Sequence, residues 1–282
     1  MTVAATLRET ATQLAAVSDT PRLDAELLMA HLLGTTRTDM LLRRMGDATP
    51  PGFAGLIERR MAHVPVAYIR GRQEFWDLDL GIVPGVLIPR SDSETVVRAA
   101  LAARPDARRV LDLGTGSGAL LLAVLSELPL ANGIGIDASP TAAMMAAANI
   151  SDLGFAGRGQ ILEFDWSRAD QMARLGRFDL ILANPPYVEG DADLARQVRD
   201  HEPHEALFAG TEGLDAYRLL LPQLPALLEP GGVAVFEIGA TQSEAVTSLA
   251  QAAKLTVRLH HDLGGRPRAL ELARMGEPAP KK

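Results

Sequence analysis

One segment restricts the fold more than any other. Asp112-Leu113-Gly114-Thr115-Gly116-Ser117-Gly118 lies between an apolar run at 110–113 and a helical pattern at 119–128. Glycines let the backbone turn sharply and let a ligand approach closely. The helix start that follows offers N–H groups with no intrahelical acceptor. Asp137 ends the next apolar run, Ile134-Gly135-Ile136, 21 residues beyond Gly116. An acidic side chain there can accept both hydroxyls of a ribose. The constellation predicts a nucleoside-bearing cofactor held by Gly114, Thr115, Gly116, Ser117, Gly118 and Asp137; the plainer reading is a strand-to-helix turn. Gly114, Gly116 and Ala119 also satisfy G-x-G-x-x-G/A, so the loop alone leaves NAD and S-adenosylmethionine both open. The second has a ribose and a carboxylate suited to an amide-lined loop, and Asp112 would face its ammonium group.

Around this loop the chain alternates apolar runs with helical patterns. Runs at 110–113, 134–136, 161–164, 178–183 and 233–238 read as strands, and 255–260 with 269–273 as a closing hairpin. Helical patterns cover 119–128, 141–149 and 215–228. Strands separated by helices imply an α/β fold, a mostly parallel sheet covered on both faces. The first 64 or so residues differ and read as helices near 3–17, 21–33, 39–45 and 53–63. Thr20 is expected to cap the second, with Pro21 at its first position, Leu23, Leu27 and Ala30 on its inner face, and Gly34 ending it. Residues 67–69 and 75–78 read as short strands. The expected organisation is a helical domain at 1–64, a β-hairpin linker at 65–92, the α/β domain at 93–275 and a disordered tail at 276–282.

Composition removes several function classes. The 282 residues contain no cysteine, which excludes disulfides, thiolate metal sites and a thiol nucleophile. No basic and apolar leader opens the sequence, and no window approaches about 18 uninterrupted apolar residues. The expectation is a cytoplasmic protein without membrane contact. The formal net charge is −7, which argues against a partner bound through nucleic-acid phosphates.

Asn184-Pro185-Pro186-Tyr187 directly follows the fourth strand. Strand C-termini line the ligand crevice of an open parallel sheet, so this segment is expected to face the cofactor. Pro185 keeps Asn184 out of the α region, and the two prolines supply no N–H. The result is a stiff loop that offers mainly acceptor oxygens. That suits an –NH2 on a planar, conjugated centre, whose two hydrogens the Asn184 side chain and the Pro185 carbonyl can accept. Tyr187 can stack on the planar group. NAD does not account for this segment, whereas methyl transfer from a sulfonium does. Asp165-Trp166, after the third strand, is a candidate adenine pocket; the alternative is an Asp in a turn and a Trp in the core.

At these residues the chain resembles the HemK-type peptide chain release factor glutamine methyltransferases. The resemblance runs through Pro65-Val66-Ala67-Tyr68-Ile69-Arg70-Gly71, Glu74-Phe75-Trp76, Leu87-Ile88-Pro89-Arg90 ahead of Glu94, the loop at 112–118, Asp165-Trp166, Asn184–Tyr187, and Glu202-Pro203 with Ala206-Leu207. It implies a Rossmann-like class I methyltransferase sheet with a small N-terminal helical domain. It implies S-adenosylmethionine as methyl donor, held by Gly114–Gly118, Asp137, Trp166 and Asn184. The substrate it implies is the glutamine of the Gly-Gly-Gln loop in class I release factors, gripped by Asn184, Pro185, Pro186 and Tyr187 and methylated on N5. The protein would act as a monomer. The family usually carries Pro and Thr where this chain has Ser91 and Ser93, and Gly where it has Val64; these positions are expected at the domain junction, away from methyl transfer.

Competing readings are a glutamine methyltransferase for a ribosomal protein, a nucleic-acid adenine-N6 methyltransferase, and a non-catalytic module that keeps the cofactor fold. Phe75 and Trp76 are candidates for the substrate entrance, Arg90 with Glu94 for an ion pair, and Glu202 with His204 for the channel border. Arg43-Arg44 and Arg59-Arg60 read as solvated helix faces. His260-His261, on a strand, point to opposite faces and would not share a metal.

Overall fold

The computed structural model describes residues 1–168 and 172–276. Beyond Gly276 the expected tail lies outside the described residues. The chain divides into two units: Met1–Gln73 with Ile82–Pro84 and Leu194–Glu202, and Glu74–Gly81 with Gly85–Asp193 and Pro203–Lys282.

The first unit is helical. Its main helices are α1 (Val3–Leu14), α2 (Pro21–Leu32) and α3 (Phe53–Met61). Val3, Leu7 and Leu14 meet Ala25, Leu28 and Met29 of α2 and Phe53 and Ile57 of α3 in one core. The inner face of α2 differs in part from the expected one: Ala30 is buried, Leu27 is half-buried and Leu23 is 40% exposed. The rotation puts Asp24 inside, where it accepts from Arg60 Nε at 2.7 Å. Arg60 is buried as well, so Arg59-Arg60 is not a solvated pair. Thr20 occupies the cap position of α2 without capping; its hydroxyl donates to Asp24 instead. Residues 67–69, expected as a strand, lie in a short helix, Val66–Arg70, which Gly71 ends in the left-handed region. The stretch Leu194–Glu202 belongs to this unit; Gln197 accepts from Arg60, and the His201 ring meets the Ala62 carbonyl at 3.2 Å.

Strands β1 (Arg72–Phe75) and β2 (Leu78–Gly81) form a two-stranded sheet. Trp76 and Asp77 both have positive φ, as a type I′ hairpin turn requires, so 75–78 is a turn flanked by strand ends and not one strand.

The second unit holds a seven-stranded sheet. Its strands are β3 (Arg109–Leu113), β4 (Asn132–Asp137), β5 (Gly159–Glu163), β6 (Phe178–Ala183), β7 (Leu228–Glu237), β8 (Leu255–His261) and β9 (Pro267–Arg274), in the order β5-β4-β3-β6-β7-β9-β8. All neighbouring pairs are parallel except those made by β9. The α/β expectation is borne out. Helices α4 (Glu94–Ala103), α5 (Ala119–Glu127) and α6 (Pro140–Asp152) cover one face. Helices α7 (Asp215–Leu220) and α8 (Ser243–Ala252) cover the other. The helix expected over 215–228 is interrupted by a 3₁₀ turn at Leu221–Gln223, because Pro222 and Pro225 remove donors and clash with the preceding turn. Among the described residues no helix is long and apolar enough to cross a membrane.

Chain order reverses between β3 and β6, which makes their C-terminal ends the switch point where open α/β sheets bind ligands. Gly135 of β4 serves that point. A Cβ there would lie 2.8 Å from Thr115 Oγ1 and 2.7 Å from Ile161 Cδ1, so a side chain would push on the glycine loop. Gly135→Ala is expected to lower stability by about 1–3 kcal/mol, the usual cost of overpacking. Urea unfolding checks this; an unchanged midpoint would show that Thr115 yields freely.

Candidate active site

Leu113 pairs with Ala183 at the ends of β3 and β6. The glycine loop and Asn184 therefore leave the sheet side by side. A cavity of about 480 Å³ opens there, within the range of small-molecule sites. Gly114, Thr115, Gly116 and Ser117 line it, as do Asp137, Trp166, Asn184 and Pro186. Of the other site residues expected from sequence, Gly118, Asp165, Pro185 and Tyr187 are not part of its lining.

The loop is held by its own backbone. Gly114, Gly116 and Gly118 have φ of 70°, 57° and 84°, a conformation other residues rarely adopt. The amides of Gly114 and Thr115 both donate to the Ile136 carbonyl at 2.9 Å. The Trp166 ring packs on Gly114, where a Cβ would approach it to 2.8 Å. Among the described residues nothing stands within 4 Å of the corresponding point at Gly116, so a ligand can reach that backbone. Asp137 accepts from the Gly116 amide through Oδ2 and from the Ser139 amide through Oδ1, both at 2.9 Å. Each oxygen retains acceptor capacity for a further donor. Burial raises the Asp137 pKa, against the pull of these two amides.

Two buried polar side chains support the loop from behind. Asp112 accepts from Thr115 Oγ1 at 2.6 Å. It is absent from the cavity lining, so the carboxylate expected to face a ligand's ammonium instead braces the loop. Its Oδ1 is buried without a hydrogen-bond partner among the described residues, and burial pushes its carboxyl up to about 7 against the Thr115 hydroxyl. Asn149 of α6 donates to the carbonyls of Ser117 (2.8 Å) and Gly81 (3.0 Å) and accepts from the Gly81 amide (2.7 Å). Sequence reading passed over it; the available signal was one amide on the buried side of an alanine-rich helix.

Asp165 turns away. It is exposed and accepts from the Ser167 amide at 2.8 Å, which lowers its pKa. Trp166 alone of that pair reaches the cavity.

The Asn184–Tyr187 loop is anchored at both ends. Asn184 Nδ2 donates to Ser93 Oγ at 3.3 Å, which leaves Oδ1 as the free face of the amide. Pro185 is buried and Pro186 faces the cavity. The Tyr187 amide donates to Leu207, its carbonyl accepts from Gln242, and its hydroxyl donates to Glu237 Oε1 at 3.2 Å. Burial and the Glu237 carboxylate push the Tyr187 pKa above its ordinary value. Ser93 lines the cavity too, so it is part of the site and not remote from it as its place in the sequence suggested.

The remaining candidates separate. Phe75 reaches the cavity wall. Trp76 does not: its Nε1 donates to Glu127, and the Arg98 guanidinium stands 5.9 Å from its ring. Glu94 pairs with Arg98 at 3.0 Å. His204 packs edge-on against Phe208, while its neighbours Pro203, Glu205 and Ala206 border the cavity. His260 meets Glu271 at 2.9 Å.

Comparison with known proteins gives a consistent result. Residues 5–71 match the PrmC N-terminal domain and residues 92–201 the methyltransferase small domain. Among its relatives are proteins named release factor glutamine methyltransferase from Cereibacter sphaeroides, 42% identical over 276 residues (95% of this chain, 97% of the relative), and Caulobacter vibrioides, 40% identical over 262 residues (89% of each). A third, from Moorella thermoacetica, is 41% identical over 261 residues (89% of this chain, 90% of the relative).

The Asp112 environment makes a pH prediction. Its folded pKa of about 7 lies above the unfolded value of about 3.9. Between those values the folded chain keeps a proton that the unfolded chain has lost, so this group's contribution to stability falls as pH rises. The melting temperature of Asp112→Asn is therefore expected to gain on wild type from about pH 4 to pH 7. Parallel melting curves across that window would show Asp112 already ionised in the fold.

Proposed function

The chain belongs to the release factor glutamine methyltransferases, and on that premise we propose that the cavity beside Asn184 methylates the side-chain amide nitrogen of the glutamine in the Gly-Gly-Gln loop of a class I release factor. One observation carries the reading: the Asn184 amide nitrogen is engaged by Ser93, so its oxygen is the atom left for a substrate.

A carboxamide nitrogen is a poor nucleophile because its lone pair is delocalised into the carbonyl. Asn184 Oδ1, on the cavity wall, accepts one of its hydrogens. This places the nitrogen and disfavours other orientations, an effect of positioning more than of proton removal. The nitrogen becomes acidic only as it gains positive charge, so no strong base is needed beforehand. Pro186, on the cavity wall, bounds the substrate side. Tyr187 stiffens the loop through its hydroxyl and both backbone groups.

The donor set suits S-adenosylmethionine, which supplies an electrophilic methyl group on a sulfonium. Asp137 is acceptor-only and partly unfilled, which suits a ribose diol. The Trp166 ring offers an apolar wall for adenine. The open backbone at Gly116, with the Ser117 turn and the start of α5, suits a carboxylate.

The test is mass spectrometry of purified release factor after incubation with the enzyme and labelled methyl donor, with ribosomal proteins and nucleic acid in parallel. Methyl on the Gly-Gly-Gln glutamine is expected; label confined to a ribosomal protein or a nucleic acid would refute the reading. Asn184→Ala is expected to slow transfer by roughly 10²–10³, comparable to losing a positioned polar group in an active site, with the fold intact. Asp137→Ala is expected to weaken cofactor binding by about 3 kcal/mol at most, as for charge-assisted hydrogen bonds. Unchanged affinity by calorimetry would place the ribose elsewhere.

A further inference from the structure

An asparagine amide is nearly symmetric in shape but opposite in polarity at its two ends. Turned over, Asn184 would present an N–H pair to the substrate –NH2, donor against donor. Something must fix which way round it sits. The neighbouring prolines cannot, because they stiffen the backbone and do not touch the amide's polarity.

The groups behind Asn184 can. Ser93, just before α4, accepts from Asn184 Nδ2 at 3.3 Å. Ser93 is 4% exposed, and the Glu237 carboxylate behind it, at the end of β7, is 1% exposed. The Ser93 hydroxyl is within hydrogen-bonding reach of that carboxylate. Tyr187 already donates to Oε1, while Oε2 is buried with no partner of its own among the described residues. A buried carboxylate oxygen left without a donor is costly. Burial lifts the Glu237 pKa to about 7, against the pull of Ser93, Arg268 and Tyr187; once ionised it can only accept, and the one proton of Ser93 is then drawn to it. The Ser93 oxygen is then left only to accept, and the Asn184 end that meets it must be the nitrogen.

We propose that Ser93 and Glu237 are positioning residues: a buried acceptor–hydroxyl–amide relay that locks the Asn184 oxygen toward the substrate. The surroundings keep Glu237 in place. Arg268 faces it and pairs with Asp92 at 2.9 Å. Tyr217 donates to the Glu237 backbone carbonyl at 2.8 Å. The relay joins α4, β6 and β7 across 91 residues between Ser93 and Asn184, and needs only a hydroxyl at 93. A threonine there would meet the same requirement.

The inference rests on Asn184 being the substrate acceptor, and the test separates the two. Single-turnover and steady-state rates are measured with release factor for Asn184→Ala, Ser93→Ala, Ser93→Thr, Glu237→Gln and the Ser93→Ala/Glu237→Gln double variant, with cofactor affinity by calorimetry. Ser93→Ala is expected to lower kcat about tenfold, the equivalent of one hydrogen bond, with unchanged cofactor affinity. Ser93→Thr restores the rate. Glu237→Gln lowers kcat alone and adds nothing once Ser93 is alanine, because it acts through that hydroxyl. Full activity in Ser93→Ala, failure of threonine to rescue, or additive losses in the double variant would each overturn the relay while a slow Asn184→Ala leaves the reading of the site intact. A wild-type rate in Asn184→Ala would overturn the reading itself, and the relay with it.

Discussion

The parallel pairing of β3 with β6 is the constraint on which the site depends. These strands are neighbours in the sheet although β4 and β5 separate them in the chain. Their registers end together, Leu113 against Ala183, so a glycine turn and a proline-stiffened turn emerge at one edge. One loop presents an open backbone at Gly116 beside the Asp137 carboxylate, the other acceptor oxygens. Neither alone defines a reaction. Placed side by side they line one cavity.

Rigidity at that edge comes from polar groups buried behind it. Thr115 rests on Asp112, Ser117 on Asn149, and Asn184 on Ser93 with Glu237 beyond. Hydrogen bonds among buried groups specify geometry more strictly than apolar packing, because a misplaced partner leaves an unpaired polar atom in low dielectric. Two of these groups, Asp112 and Glu237, have carboxyls that burial pushes up to about 7. The fold accepts that electrostatic cost where the loops must not drift.

Much of this was legible in the sequence, and the parts that were not share a cause. The loop at 112–118 and the Asn184–Tyr187 turn were readable because glycine and proline restrict the backbone locally. Strand positions were readable from apolar runs. Trp76 and Asp77 were misread because their left-handed turn carries neither the Asn nor the Gly that announces one. Thr20 was misread because Asp24, four residues on, competes for its hydroxyl. Asp165 was assigned to a pocket by position alone, and its carboxylate takes the nearest backbone amide instead. Leu194–Glu202 groups with the N-terminal helices through contacts more than 130 residues apart, such as Gln197 with Arg60.

The sequence by itself determined the fold class, the two loops and the chemical type of site. These rest on local rules: backbone freedom at glycine, restriction at proline, and the period of apolar residues. Only the tertiary structure decided which polar side chains stand behind those loops. Ser93, Asn149 and Glu237 look ordinary in their own segments, since a hydroxyl, an amide or a carboxylate is equally at home in solvent. Their roles arise because sheet pairing and helix packing remove them from water beside particular partners, and sequence distance carries no record of that proximity.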